Sequence, residues 1–99
     1  MNLGEEQRAF SKALAQLILY AYEIGYEISM GDVWAKTGHK VNSNHYIRLA
    51  ADINLFKDGV YLTDGSGHDK LHDYWDTLGG AKRIDRDLNH YSFEHKGRR

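Results

Sequence analysis

The chain has 99 residues and a mass of 11.4 kDa, room for one domain over residues 1–99 and no more. Its 41% hydrophobic and 27% charged content lies near the globular average, which excludes a disordered tail and a fibre. There is no cysteine, so disulfides, thiolate metal sites and thiol nucleophiles are excluded together, and any metal must be held by His, Asp or Glu.

Thirteen Lys and Arg stand against fourteen Asp and Glu, too even a balance to gather polyanions. Residues 82–99 are locally basic, with Lys82, Arg83, Arg86, Lys96, Arg98 and Arg99 against Asp85, Asp87 and Glu94; the expectation there is a solvated tail. The longest apolar stretch, residues 13–21, is too short and interrupted to span a membrane. Glu5 and Glu6 stand where a signal peptide would be basic, so the chain is expected to be made in the cytoplasm without an export signal.

Phe10, Leu14, Leu17, Ile18 and Ala21 recur at helical spacing, predicting an amphipathic helix over residues 5–24, capped by Asn2 and ended by Gly25. The period then changes to two: Tyr26, Ile28 and Met30 alternate with Glu27 and Ser29 as in a half-buried strand. Residues 34–44 lose periodicity and read as a loop. Leu49, Ala51, Ile53 and Leu55 then alternate with Ala50, Asp52 and Asn54, and Lys57-Asp58-Gly59 turns the chain into Val60-Tyr61-Leu62-Thr63 as a hairpin. Leu71, Tyr74, Trp75 and Leu78 mark a short helix ended by Gly79-Gly80, and Tyr91 and Phe93 flank Ser92 in a last strand. The fold class is therefore α+β: a small antiparallel sheet packed against an N-terminal helix and a second short helix.

Six histidines make a metal site worth weighing. His45 ends the polar loop and Asp52 follows on the polar side of the hairpin strand, so an imidazole and a carboxylate can converge there. Asp87 precedes His90 by three residues, an interval that lets both face one cavity from a helical turn or tight loop. A hydrolytic zinc site needs three protein ligands, an open position and a nearby carboxylate to move a proton. His45, Asp52, His90 and Asp87 supply that inventory. Spacing alone favours a plainer account, with Asp52 ending a strand and Asp87 paired to Arg83 or Arg86. His68 and His72 are spaced i, i+4 but sit among Asp and Lys, and the expectation for both is a solvated surface; His95 reads as tail. Tyr74, Trp75 and Leu78 read as core, and Ser43 as a residue that orders the loop before His45.

The run Ser43-Asn-His45-Tyr-Ile-Arg-Leu-Ala-Ala-Asp52-Ile-Asn-Leu-Phe-Lys-Asp-Gly, with Tyr74-Trp75-x2-Leu78-Gly79 and Arg86-Asp87-x-Asn89-His90-Tyr91-Ser92, resembles the zinc D-alanyl-D-alanine carboxypeptidase and dipeptidase family of bacterial cell-wall peptidases. Within it, the chain is most similar to compact phage endolysins that act as L-alanyl-D-glutamate peptidases. The resemblance covers roughly residues 10–95. It implies an α+β fold, zinc (Zn2+) on His45, Asp52 and His90, and Asp87 as general base and acid. It also implies that the peptide stem of peptidoglycan is the substrate, and that a monomer acts on the cell wall without binding nucleic acid or entering a membrane. Larger relatives carry an Arg ahead of the first His that holds the substrate carbonyl. Here residues 31–36 read Gly-Asp-Val-Trp-Ala-Lys, so the expected oxyanion donor is Lys36 or His39, or another residue if the loop is a shortened variant, a role typically worth about 3 kcal/mol.

Two other readings compete with this hydrolase. Asn44-His45, Asn89-His90 and the basic tail suggest a metal-dependent nuclease of the His-Asn-His kind, although the hairpin-and-helix metal motif of that class is not evident between Asp52 and His90. The third reading is a non-catalytic module that binds cell walls or virions.

Overall fold

A computed structural model describes residues 1–99. Helix α1 (Leu3–Glu23) begins with a reciprocal cap: the Asn2 side chain accepts the Glu5 backbone N–H while the Glu5 carboxylate accepts that of Asn2. At its other end Gly25 adopts φ +97°, a conformation that costs glycine little, and turns the chain into strand β1 (Glu27–Met30). Strand β1 is an edge strand: Ile28 is half-buried, and Met30, expected inside, is exposed.

Residues 31–43 form an irregular loop that ends in one 3₁₀ turn, Asn44–Ile47, which periodicity does not reveal. Strand β2 (Ala50–Lys57) is the centre of the sheet, followed by β3 (Val60–Tyr61), helix α2 (His68–Thr77) and β4 (His90–Ser92). All pairings are antiparallel. Strand β1 lies along one edge of β2, with Met30 opposite Ile53; β3 and β4 share the other edge in tandem, with Tyr61 opposite Phe56 and His90 opposite Asp52.

The core forms where the two helices meet one face of this sheet. Phe10, Leu14, Leu17 and Ala21 of α1 and Leu71 and Trp75 of α2 pack with Leu49, Ala51, Ile53, Leu55 and Tyr91. Because side chains alternate along a strand, the residues between them project to the opposite face. Asp52 of β2 and His90 of β4 lie there together. Tertiary packing also uses side chains that periodicity assigns to the surface. His68 and His72 are buried, contrary to the expected solvated face: His68 Nδ1 lies 2.7 Å from the Tyr91 hydroxyl, and His72 stacks on the Tyr91 ring and donates Nε2–H to the Leu88 carbonyl. Both sit on the α2 face that meets Tyr91, a neighbour 19 or more positions away in sequence. His95 is likewise tied down rather than loose, with Nδ1 2.7 Å from Glu6 of α1. No helix is long and apolar enough to cross a membrane.

Candidate metal centre

Three local structures bring the site together. Ser43, in an extended conformation, accepts the His45 backbone N–H on its hydroxyl and so starts the 3₁₀ turn that carries His45. Arg48 closes that turn in the left-handed region, φ +59°, and Leu49 leads directly into β2. Asp52 is mid-strand, its N–H donating to the Asp32 carbonyl and its own carbonyl accepting the Gly31 N–H. His90 opens β4 directly across from Asp52, and residues facing each other across an antiparallel pair have side chains about 5 Å apart on the same side. Two consecutive turns set up His90: the Asp87 N–H donates to the Ile84 carbonyl, and the His90 N–H donates to the Asp87 carbonyl. Asp87 is the junction of the two.

The geometry at Asp52 differs from that of an ordinary imidazole–carboxylate contact. His39–Asp32 and His95–Glu6 are close pairs at 2.8 and 2.7 Å. At Asp52, His45 Nε2 stands 3.2 Å and His90 Nδ1 3.5 Å from one and the same oxygen, Oδ1. Ligand atoms held at about 2.0–2.2 Å on a tetrahedral zinc ion stand about 3.3–3.6 Å from one another. Each imidazole nitrogen thus stands from the shared carboxylate oxygen at the separation of two ligands on one ion. The second ring nitrogen of each histidine, His45 Nδ1 and His90 Nε2, is buried without a partner, so neither ring is oriented by a competing hydrogen bond. Burial alone would raise the Asp52 carboxyl, but attraction to His45 and then His90 outweighs it and holds the group well below the usual carboxylate range. Asp52 is therefore an anion at neutral pH, as a ligand must be.

The ligand-bearing atoms of His39, His45 and Asp52 also lie within 4.8 Å of one another. A His-His-Asp group that could bind a metal ion is present in the fold. No protein-family model, curated protein or solved structure matches the chain.

Geometry distinguishes the two candidate third ligands. The His39 and His45 rings are stacked, 4.0 Å apart and only 21° from parallel. Imidazole lone pairs lie in the ring plane, so two stacked rings point side by side rather than at one ion. His45 and His90 are 5.2 Å apart at 72°, an arrangement in which in-plane lone pairs can meet. His39 is also engaged elsewhere: its Nε2 is on Asp32, and the Tyr46 hydroxyl accepts its backbone N–H and donates to its carbonyl.

Asp87, His39, Ser43, His45, Asp52 and His90 line one open cavity of about 480 Å³. Asp87 is not paired with Arg83, which instead meets Asp69, Asp73 and Asp76, nor with Arg86. Lys36 is absent from the cavity wall; its ammonium lies over the Trp34 ring, 5.5 Å from the centroid, and the Arg48 guanidinium also lies over that ring, 4.5 Å from the centroid. Of the two expected oxyanion donors, only His39 lines the cavity. Arg99 also lines the cavity, brought there from the tail expected to be free. Asn44, fully buried, donates its side-chain amide to the carbonyls of Phe93 and Arg98. No sequence pattern marks that contact, which joins positions about fifty residues apart.

Proposed function

We propose that this protein is a zinc-dependent peptidase that hydrolyses a peptide bond in the stem of bacterial peptidoglycan, in the manner of a phage endolysin. One observation carries the reading: His45 and His90, from a turn and a strand, both approach the same Asp52 oxygen, with an unpaired carboxylate, Asp87, on the wall of the same cavity.

His45 Nε2, Asp52 Oδ1 and His90 Nδ1 would hold the ion. When bound, zinc supplies Lewis acidity, lowering the pKa of a water towards about 7 and polarising the scissile carbonyl. Asp87 takes a proton from the attacking water as its oxygen bonds to the carbonyl carbon, then gives that proton to the amide nitrogen as the C–N bond breaks. Water is consumed, a carboxylic acid and an amine are released, and Asp87 returns to its starting charge. Lys40, Asn89, Arg99 and His39, the last fixed by Asp32 and Tyr46, are the cationic or donor groups on the cavity wall available to the carbonyl oxygen. Ser43 acts through the backbone of His45.

The test is digestion of purified peptidoglycan followed by mass spectrometry of the released fragments. Zinc-loaded protein is expected to release new amino termini, chelation to stop the release, and added zinc to restore it. Asp87→Asn should retain zinc and lose about 10²- to 10⁴-fold in rate, the usual size of a general acid–base contribution. Wall digestion by fully demetallated protein would refute the proposal, and unaltered wall binding with no hydrolysis by either protein would favour a binding module.

A further inference from the structure

Two buried histidines, His68 and His72, take no part in the site described above. They lie one helical turn apart on α2 and meet the segment that carries Asp87 and His90 from its other side. His68 Nδ1 reaches the Tyr91 hydroxyl. His72 lies flat on the Tyr91 ring, 4.1 Å between centroids and 11° from parallel, and donates Nε2–H to the Leu88 carbonyl at 2.7 Å. The contacts interleave: Asp87 and His90 line the metal cavity, while Leu88 and Tyr91 are the residues that α2 touches.

Packing alone does not call for an imidazole at position 72. A leucine or phenylalanine would cover Tyr91 with no polar atom to desolvate, whereas His72 buries its Nδ1 without a hydrogen-bond partner. What the imidazole adds is the bond from its other nitrogen. Three consecutive carbonyls set the path of residues 87–89: that of Asp87 accepts the His90 N–H, that of Leu88 accepts His72 Nε2–H, and that of Asn89 accepts the Ile53 N–H. Only the middle one is held by a side chain. Without that donor the Leu88 carbonyl must find its partner in water, and the Leu88–Asn89 peptide is free to turn. Asp87, one residue before it, moves with the turn.

We propose that His72 is a positioning residue: by holding the Leu88 carbonyl it fixes the backbone from Asp87 to His90, and so aims the Asp87 carboxylate into the cavity that His45, Asp52 and His90 share. The role of Asp87 in proton transfer rests on the hydrolase reading above; the fixing of the turn does not. His72 touches neither substrate nor ligand set and acts only through the backbone of Leu88. The effect on rate follows from geometry, since a misplacement of about 1 Å can cost about 100-fold.

The first measurement needs no variant. In the imidazole ¹H–¹⁵N spectrum of zinc-loaded protein, His72 is expected with its proton on Nε2 and with Nδ1 bare; a proton on Nδ1 instead overturns the proposal. Two variants then separate the bond from the packing. His72→Phe keeps a flat ring against Tyr91 and removes the donor, and His72→Gln supplies an amide N–H near the place of Nε2. On soluble peptidoglycan fragments, zinc-loaded His72→Phe is expected to lose about 10- to 100-fold in kcat with KM changed by less than about twofold. Its amide signals at residues 87–90 are expected to broaden through exchange on the microsecond to millisecond scale. His72→Gln is expected to recover most of the rate and the sharp signals. Unchanged rate and unchanged signals in His72→Phe, or equal losses in both variants, overturn the proposal in favour of packing alone. If the unaltered protein cleaves nothing, the hydrolase reading falls, and the ring tautomer with the signals of residues 87–90 decides whether His72 fixes the turn.

Discussion

Asp52 is the residue on which the cluster depends, because its Oδ1 is the shared neighbour of both imidazoles. Loss of an outer-shell partner typically weakens metal binding 10- to 100-fold, so loss of this carboxylate should cost more than about 100-fold. Asp52→Ala is therefore expected to abolish measurable zinc uptake in a competition titration against a chromophoric chelator; uptake equal to that of the unaltered protein would remove Asp52 from the ligand set. A different residue governs the acid sensitivity of the metal-free fold. Burial pushes His68 down from 6.5 to about 4, so the unfolded chain binds a proton more readily than the folded one. Stability from this group is complete above pH 6.5 and is lost as pH falls toward 4, by up to about 3 kcal/mol. Urea unfolding of chelator-treated protein at pH 7.5 and 4.5 should show that slope, and His68→Gln should flatten it. His72, also lowered chiefly by burial, contributes with the same sign. The partner of His68, Tyr91, is pushed up by burial and stays protonated throughout the range.

At the scale of elements, the sharpest constraint lies between α2 and β4. A side chain at Gly80 would meet the Trp75 indole nitrogen at about 2.0 Å, and that indole is fully buried while donating to the Ser92 carbonyl. The same carbonyl accepts the Ala81 N–H, so one close approach of backbone to ring fastens helix, connection and strand. Gly80→Ala should destabilise by about 2–3 kcal/mol, typical of forced overpacking, whereas Gly79→Ala, with open space around it but φ +84°, should act only through its backbone. Chemical denaturation of the two variants distinguishes these effects; equal midpoints would contradict the packing argument. Elements were legible in the sequence wherever periodicity was strong. Helix α1 differs from its predicted span by a residue or two, and Leu49, Ala51, Ile53 and Leu55 all face the core as their alternation requires. The 3₁₀ turn at Asn44–Ile47 was not legible, because one turn has no period and its signal is a single Ser43 hydroxyl. His68 and His72 were misread for a related reason: the polar composition around them describes their neighbours on α2, while their burial is decided by Tyr91 on another element.

For the whole molecule, the residues proposed as ligands belong to a turn, β2 and β4, so the unfolded chain has no formed site and the proposal links zinc binding to folding. With free zinc a hundredfold above its dissociation constant, the native state gains about 2.7 kcal/mol, which for a domain near 100 residues raises the melting temperature by about 10–20 °C. Calorimetry with and without a chelator tests this, and a melting temperature indifferent to zinc would mean that no native site takes the ion. The C-terminal segment should respond to a distant change as well. Because Asn44 holds the Phe93 and Arg98 carbonyls, Asn44→Ala is expected to speed amide exchange across residues 93–99 while α1 keeps its protection.

What the residues determined by themselves was local: a capped amphipathic helix, an alternating hairpin, a second helix, and a set of oxygen and nitrogen ligands with no sulfur among them. Those features depend on spacings of two to four residues, which the chain carries within each segment. Which imidazoles meet Asp52, which carboxylate is left unpaired, and which histidine reaches the Leu88 carbonyl were decided only in three dimensions. Strand register places His90 across from Asp52 over 38 positions of sequence, and ring orientation, not proximity, separates it from His39. Register follows from burying one whole face of β2 at once, so it is a property of the packed sheet that no single segment contains.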